Sequence, residues 1–298
     1  MIPADPPITE WIRAACLLEC TARKPGNVHP QAAFDDVCHA DFVKSADVAA
    51  PILADASARG VGFCVLEAVR ATRDVVGKNT NLGIALLIAP LAAADVSRTL
   101  REGVGKILLD LTAEDAAMVY EAIRLADPGG LGRVETGDVA RPPTGTLLEM
   151  MQLAADRDSV AAQYARGFSD VLTDGVECLG ETVAWFPARW EDAIVRLHLE
   201  FMAGIPDTLI SRKCGSEIAA ESARRARQIL AAGWPDDERS RRLLRNFDGW
   251  LRADGHRRNP GTTADLVTAT LYAAMREGKL PLPPGWAVDI VSANGSSD

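Results

Sequence analysis

The sequence is poor in the residues that mark several common chemistries. Its four histidines, His29, His39, His198 and His256, include no His-Asp pair of the kind that helical metal-dependent phosphohydrolases use. There is no G-x-S-x-G, no H-E-x-x-H and no P-loop, because Gly77-Lys78-Asn79-Thr80 lacks the upstream glycine that would cradle phosphates. The GGLG at 129–132 follows a helical pattern and Pro128 rather than a strand, which gives a Rossmann reading little support. Six cysteines form no CxxC pair and no zinc-type spacing, so free thiols are expected. Cys16 and Cys20 lie one helical turn apart with Cys38 and His39 nearby; buried small hydrophobes are favoured there over a metal site. Aromatic residues make up only 5% of the chain, and no stretch alternates strictly between turn signals, which argues against strands. The longest apolar run, Leu82 to Ala94, contains Pro90 and falls short of the roughly 18–20 residues of a bilayer span, so it reads as a buried helix. No secretory pattern opens the chain, and a cytoplasmic protein is expected. A surplus of positive charge is missing too: the net charge is −9, which argues against unspecific binding to nucleic acid or to an anionic membrane.

What is present is the composition of a folded protein, 298 residues with 48% hydrophobic and 24% charged. The charge is unevenly spread. Between Asp207 and Arg258 there are 12 Lys and Arg against 8 Asp and Glu, a basic region suited to an anionic small ligand, although Arg224, Arg225 and Arg227 read better as a solvated helix face. Leu100, Val104, Ile107, Leu108 and Leu111 form a one-sided stripe, as do Ile194/Leu197/Phe201, Ile218/Ser222/Ala226/Ile229 and Ala264/Val267/Leu271/Ala274. Thr112 with Asp115 resembles a capping box and predicts a helix reaching about Ala126. The expectation is an all-α fold: one bundle-like domain of about ten helices over residues 1–280, then an extended tail over 281–298. Asp127 to Thr146, rich in Gly and Pro, is read as a loop over a site rather than a domain boundary. His198, beside an apolar stripe, reads as a partly buried, hydrogen-bonded histidine rather than a ligand.

Four polar segments, each where a helix ends or begins, carry the candidate chemistry. Arg23 to Pro30 is a stiff turn that presents Lys24 and leads into Asp35-Asp36. That acid pair suits Mg²⁺ held against a polyphosphate, or else an N-cap for a helix starting near His39. Gly77 to Gly83 opens the most hydrophobic helix; its free N–H groups could be capped or anion-bound, and three residues, Asn79, Thr80 and Asn81, exceed what capping needs. In Asp207 to Gly215, an acid and two cations, Arg212 and Lys213, flank a short inter-helix segment. Arg257 to Leu266 places Arg258 before Asn259, Thr262 and Thr263, which could cap a helix whose first turn holds Asp265; arginine forks beside a helix N-terminus suit phosphate.

Taken in order, KPG, an Asn-Thr-x-x-Gly, an Asp-Thr and PGxxADL span Lys24 to Asp265 and resemble the triphosphoribosyl-dephospho-CoA synthase family. The resemblance implies an all-helical enzyme that transfers the triphosphoribosyl group of ATP to the 2′-hydroxyl of 3′-dephospho-CoA and releases adenine. There are departures. Phe34 stands for the family's histidine and Cys38 for its second acid, while Asn81-Leu82 replaces His-Lys. Leu209 replaces an asparagine, Arg212-Lys213 stand where the family tends to have His-Arg, and Thr262-Thr263 replace Gly-Ser. These leave the fold expectation intact and open the identity of the acceptor, so another phosphoribosyl-containing cofactor pathway, such as that of tetrahydromethanopterin, is an alternative.

Cleaving a ribosyl–adenine bond makes the anomeric carbon cationic, so one carboxylate can stabilise it and a second can take the acceptor's proton. Asp36 and Asp265 are the expected pair, with Asp207 in reserve. Lys24, Arg212, Lys213 and Arg258 are expected on phosphates, Asn79, Thr80, Thr262 and Thr263 on ligand oxygens, and Mg²⁺ on Asp35 and Asp36 with ATP. A dephospho-CoA-like acceptor and a possible homo-oligomer complete the expectation. Two readings from other classes stand beside it: a helical metal-dependent nucleotide hydrolase, and a non-catalytic nucleotide-binding protein.

Overall fold

The computed structural model describes residues 8–129, 137–281 and 289–291. Its helices are α1 (Ile8–Thr21), α2 (His39–Ala54), α3 (Ala56–Arg59), α4 (Val61–Val76), α5 (Leu82–Ala93), α6 (Leu100–Asp110), α7 (Ala113–Ala126), α8 (Leu147–Ala154), α9 (Ser159–Ala165), α10 (Val176–Thr182), α11 (Trp190–Gly204), α12 (Thr208–Cys214), α13 (Ser216–Ala231), α14 (Glu238–Arg252) and α15 (Gly261–Arg276). The fold is all-α; the one extended stretch in this order is the four residues Ala253–His256. There are more helices than the ten expected, because Gly- and Pro-bearing turns cut the chain into pieces as short as α3, α9 and α12. Most of the 281–298 tail lies outside the described residues.

Helix α5 is the axis. Every residue in it except Gly83 is buried, and a helix apolar all round has no face for water. It is accordingly packed by α2, α4, α6 and α15. Pro90 within it cannot donate to the carbonyl of Leu86 one turn back. The buried Tyr164 hydroxyl donates to that oxygen instead, at 2.6 Å. At the other end the Arg276 guanidinium donates to the carbonyls of Leu91 and Ala94, a C-terminal cap supplied by α15.

The stripe at 100–111 forms α6, with Leu100, Val104 and Leu108 buried. Thr112 and Asp115 close a capping box on α7, which ends at Ala126. Asp115 also accepts from the Gly62 N–H at 2.9 Å, and a Cβ on Gly62 would stand 2.5 Å from the Asp115 Cα, so glycine allows α4 to approach α7. Helices α11 to α14 share a second apolar cluster around Val195, Leu199, Ile210, Ile229 and Phe247. Their arginines behave as expected of a solvated face: Arg224 and Arg225 pair with Glu221, and Arg227 donates to the Ala203 carbonyl. Among the described residues no helix is long and apolar enough to cross a membrane.

Candidate active site

The N-termini of α5 and α15 open onto one cleft of about 730 Å³. All four polar segments reach it: Asn27 and Asp36 from the first, Lys78 to Gly83 from the second, Arg212 and Lys213 from the third, and Asn259, Gly261, Thr262 and Asp265 from the fourth. The flanks of the long irregular segment, Asp127 to Gly129 and Gly137 to Val139, line it too, with Tyr120, Ile123, Met150 and Met151 making an apolar wall. Residues 130–136 of that segment lie outside the described residues.

Asp265 lines this cleft from α15. Burial, and then the nearby carboxylates Glu19 and Asp207, push its carboxyl well above the usual range. Neither of its oxygens has a hydrogen-bond partner among the described residues. It comes so close to the first turn of α5 that a Cβ on Gly83 would fall 2.0 Å from its Oδ2. The other polar groups of that turn are occupied. Asn79 Oδ1 accepts from the Leu82 N–H at 3.2 Å, Asn81 donates to Thr72 at 2.8 Å, and the Thr80 and Ser45 hydroxyls are 2.5 Å apart. Each of the three polar side chains thus has a partner within the fold, and all three also line the cleft.

Asp207 is placed differently. It is 2% exposed and does not line the cleft. Its Oδ1 accepts from the Ile210 N–H at 2.9 Å, and its Oδ2 from the Thr263 N–H and hydroxyl, both at 2.8 Å. One carboxylate thus caps α12 and α15 together. The α15 cap expected from Asn259 and the threonines is supplied by Asp207 instead, and Thr263 is its donor rather than part of the cleft wall. Thr262 lines the cleft and bonds Thr208 at 3.3 Å.

The cations divide in the same way. Arg212 pairs with Asp158, the N-cap of α9, and its Nε is buried without a partner. Lys213 is half-buried beside it; burial, then Arg212, lowers its ammonium from the ordinary value. Two crowded, under-neutralised cations on a cleft wall are arranged for an anion. Lys24 and Arg258, by contrast, are absent from the cleft lining. Lys24 is 0% exposed and pairs with Glu19 at 2.9 Å, also donating to the Glu19 carbonyl. Arg258 lies 4.6 Å over the Trp250 ring and donates to the Trp250 carbonyl.

Nor does the acid pair act as a unit. Asp35 is exposed and outside the cleft lining, whereas Asp36 lines it and lies 3.1 Å from His256 Nδ1. Neither caps α2, whose N-cap Cys38 is served by Asp41. No three His, Cys, Asp or Glu side chains among the described residues converge on a point that could hold a metal, and Cys16 and Cys20 are buried in α1. His198, expected to be partly buried and hydrogen-bonded, is fully buried, with the Pro25 carbonyl as the acceptor beside its ring.

Sequence reasoning missed Glu19, His256 and Asp158, all of which line the cleft. Glu19 reads as one polar residue on a helix. It could have been found as the residue five before Lys24, since a buried lysine needs an acid in reach.

The profile of the ATP:dephospho-CoA triphosphoribosyl transferase family (CitG) matches residues 6–283. A crystal structure from Archaeoglobus fulgidus, of a protein assigned as a triphosphoribosyl-dephospho-CoA synthase, is similar in fold with a TM-score of 0.61 and 24% identity, covering 78% of this chain and 98% of that one. No curated protein matches the sequence. Family membership favours a transferase over the hydrolase, binding-protein and tetrahydromethanopterin readings. With a profile that runs through nearly the whole chain and all four cleft segments, this protein belongs to the ATP:dephospho-CoA triphosphoribosyl transferase family.

Proposed function

We propose that the cleft performs the family reaction, moving the triphosphoribosyl group of ATP to the 2′-hydroxyl of 3′-dephospho-CoA with release of adenine. The observation that carries this reading is Asp265, a cleft-lining carboxyl held above its ordinary range and without a hydrogen-bond partner among the described residues. A carboxyl that holds its proton more tightly than usual is suited to donate it to the departing base. The bond to adenine breaks more easily when the ring nitrogen that takes the electrons also takes a proton.

Arg212 and Lys213 hold the triphosphate in this scheme, with Thr262, Asn79 and the first turn of α5 around the ribose and phosphate oxygens. Binding an anion there relieves the crowding of two adjacent cations, so part of the affinity comes from the cleft's own electrostatics. No group of three metal-ligating side chains converges among the described residues. Mg²⁺ would enter as the partner of ATP, which suits an ion that keeps its waters and binds substrate phosphates. The apolar wall of Tyr120, Ile123, Met150 and Met151 gives flat or apolar parts of the substrates a place away from water.

Incubating the protein with ATP, Mg²⁺ and 3′-dephospho-CoA, while following free adenine and the mass of the acceptor, tests the proposal. Adenine together with a triphosphoribosyl adduct supports it. Phosphate or pyrophosphate release without adenine overturns it in favour of hydrolysis at phosphorus.

A further inference from the structure

On the solvent-exposed part of the cleft lining, a second proton-handling pair is built from two distant parts of the chain. Asp36 follows the first polar segment, and His256 ends the extended stretch before α15, yet the His256 Nδ1 lies 3.1 Å from Asp36 Oδ1. The imidazole also packs edge-on against Phe34, with ring centroids 5.8 Å apart, a second contact that favours this orientation of the ring. Both residues line the cleft. A carboxylate can only accept, so a bond to Asp36 selects the tautomer of the neutral ring with its proton on Nδ1 and its lone pair on Nε2. No other partner of the ring's Nε2 is found among the described residues.

We infer that His256 is the general base that takes the proton from the acceptor hydroxyl, with Asp36 as its positioning residue. The inference rests on the transfer reaction proposed above and adds a residue to it. In the step, the hydroxyl proton passes to His256 Nε2 as the hydroxyl oxygen forms its bond to the anomeric carbon of ATP. The bond from that carbon to adenine breaks, its electron pair goes to the base, and the Asp265 proton goes to adenine. One proton is taken by His256 and one given by Asp265, so atoms and charge balance; solvent then returns both groups to their starting states. This division replaces the expected pairing of two carboxylates, in which Asp36 itself acted on the reacting atoms.

The experiment measures adduct formation from ATP, Mg²⁺ and 3′-dephospho-CoA for the wild type, His256→Ala and His256→Gln, with and without added imidazole. The expected result is a loss in kcat of about a hundredfold or more in both variants, the usual scale for a general base, with KM for ATP little changed. Free imidazole should restore part of the activity of His256→Ala, where a space is left, and none of that of His256→Gln, whose amide fills it. Activity near the wild-type level in His256→Ala overturns the assignment, as does a loss that imidazole does not repair. A wild type that forms no adduct overturns the transfer reaction itself, which separates the two failures.

Discussion

Two aspartates meet near the start of α15, and the surroundings give them opposite tasks; Asp265 falls in the second turn rather than the expected first. Asp207 has three hydrogen bonds and holds two helix starts together. Asp265, two residues beyond Thr263, has none and faces the cleft beside Gly83. Burial raises the carboxyl of both. The donors around Asp207 work against that rise, whereas around Asp265 the next influences are two further acids, Glu19 and Asp207, which add to it. The comparison teaches that burial alone does not mark a reactive carboxyl; burial without donors does.

Replacing the unpartnered acid gives the largest expected effect. Asp265→Asn should lower kcat for adenine release by about 10²–10⁴-fold, the usual range for removing a general acid, while leaving the fold intact. Stability supplies an independent sign. A carboxyl whose folded value is raised confers stability that is fully present below the unfolded value near 3.9 and is lost as pH rises through the folded value. Asp265→Asn carries no such loss, so thermal melts of the two proteins should diverge in the variant's favour as pH rises above the unfolded value near 3.9. A variant that melts lower than the wild type at every pH would make Asp265 a structural residue and erase the contrast.

Asp207→Asn should behave in the reverse way. An amide offers one accepting oxygen where the carboxylate offers two, so either the Ile210 N–H or the Thr263 pair faces a donor. Leaving such a buried group unmet costs about 1–3 kcal/mol, measurable by urea denaturation. Adenine release should fall far less than in Asp265→Asn. Near-normal stability with abolished turnover would move Asp207 into the chemistry.

How much of this was legible in the sequence follows from what each feature depends on. The helices were, because their stripes and the Thr112–Asp115 box are local patterns. The meeting of four polar segments in one cleft was also visible, since each sits at a helix boundary and a helix start needs partners for its N–H groups. The division of labour among those residues was not. Lys24 looks like a phosphate ligand until Glu19, five residues back along α1, is seen to neutralise it in the core. Asp207 looks free to react until Thr263, 56 residues away, takes its second oxygen. Asp36 and His256 are 220 residues apart, and only the packed structure sets them at 3.1 Å. Pairing across the chain decides which charged residue is satisfied and which is left to act, and no local pattern encodes it.

The smallest change that sharpens the contrast is Gly83→Ala. Gly83 lies in the first turn of α5 without the positive φ that would demand glycine. Helix propensity alone therefore predicts that alanine stabilises the chain, by up to about 1 kcal/mol. The new methyl, however, would stand 2.0 Å from Asp265 Oδ2, closer than any real contact, so the carboxyl has to swing away from the α5 terminus. No such displacement reaches Asp207, which touches α12 and Thr263 instead. The expected outcome is a fall of about tenfold in kcat, equivalent to about 1.4 kcal/mol in the barrier, at equal or higher melting temperature. Unchanged turnover would mean that Asp265 can work from another rotamer, and the acid would then owe its role to burial rather than to its place over the helix start.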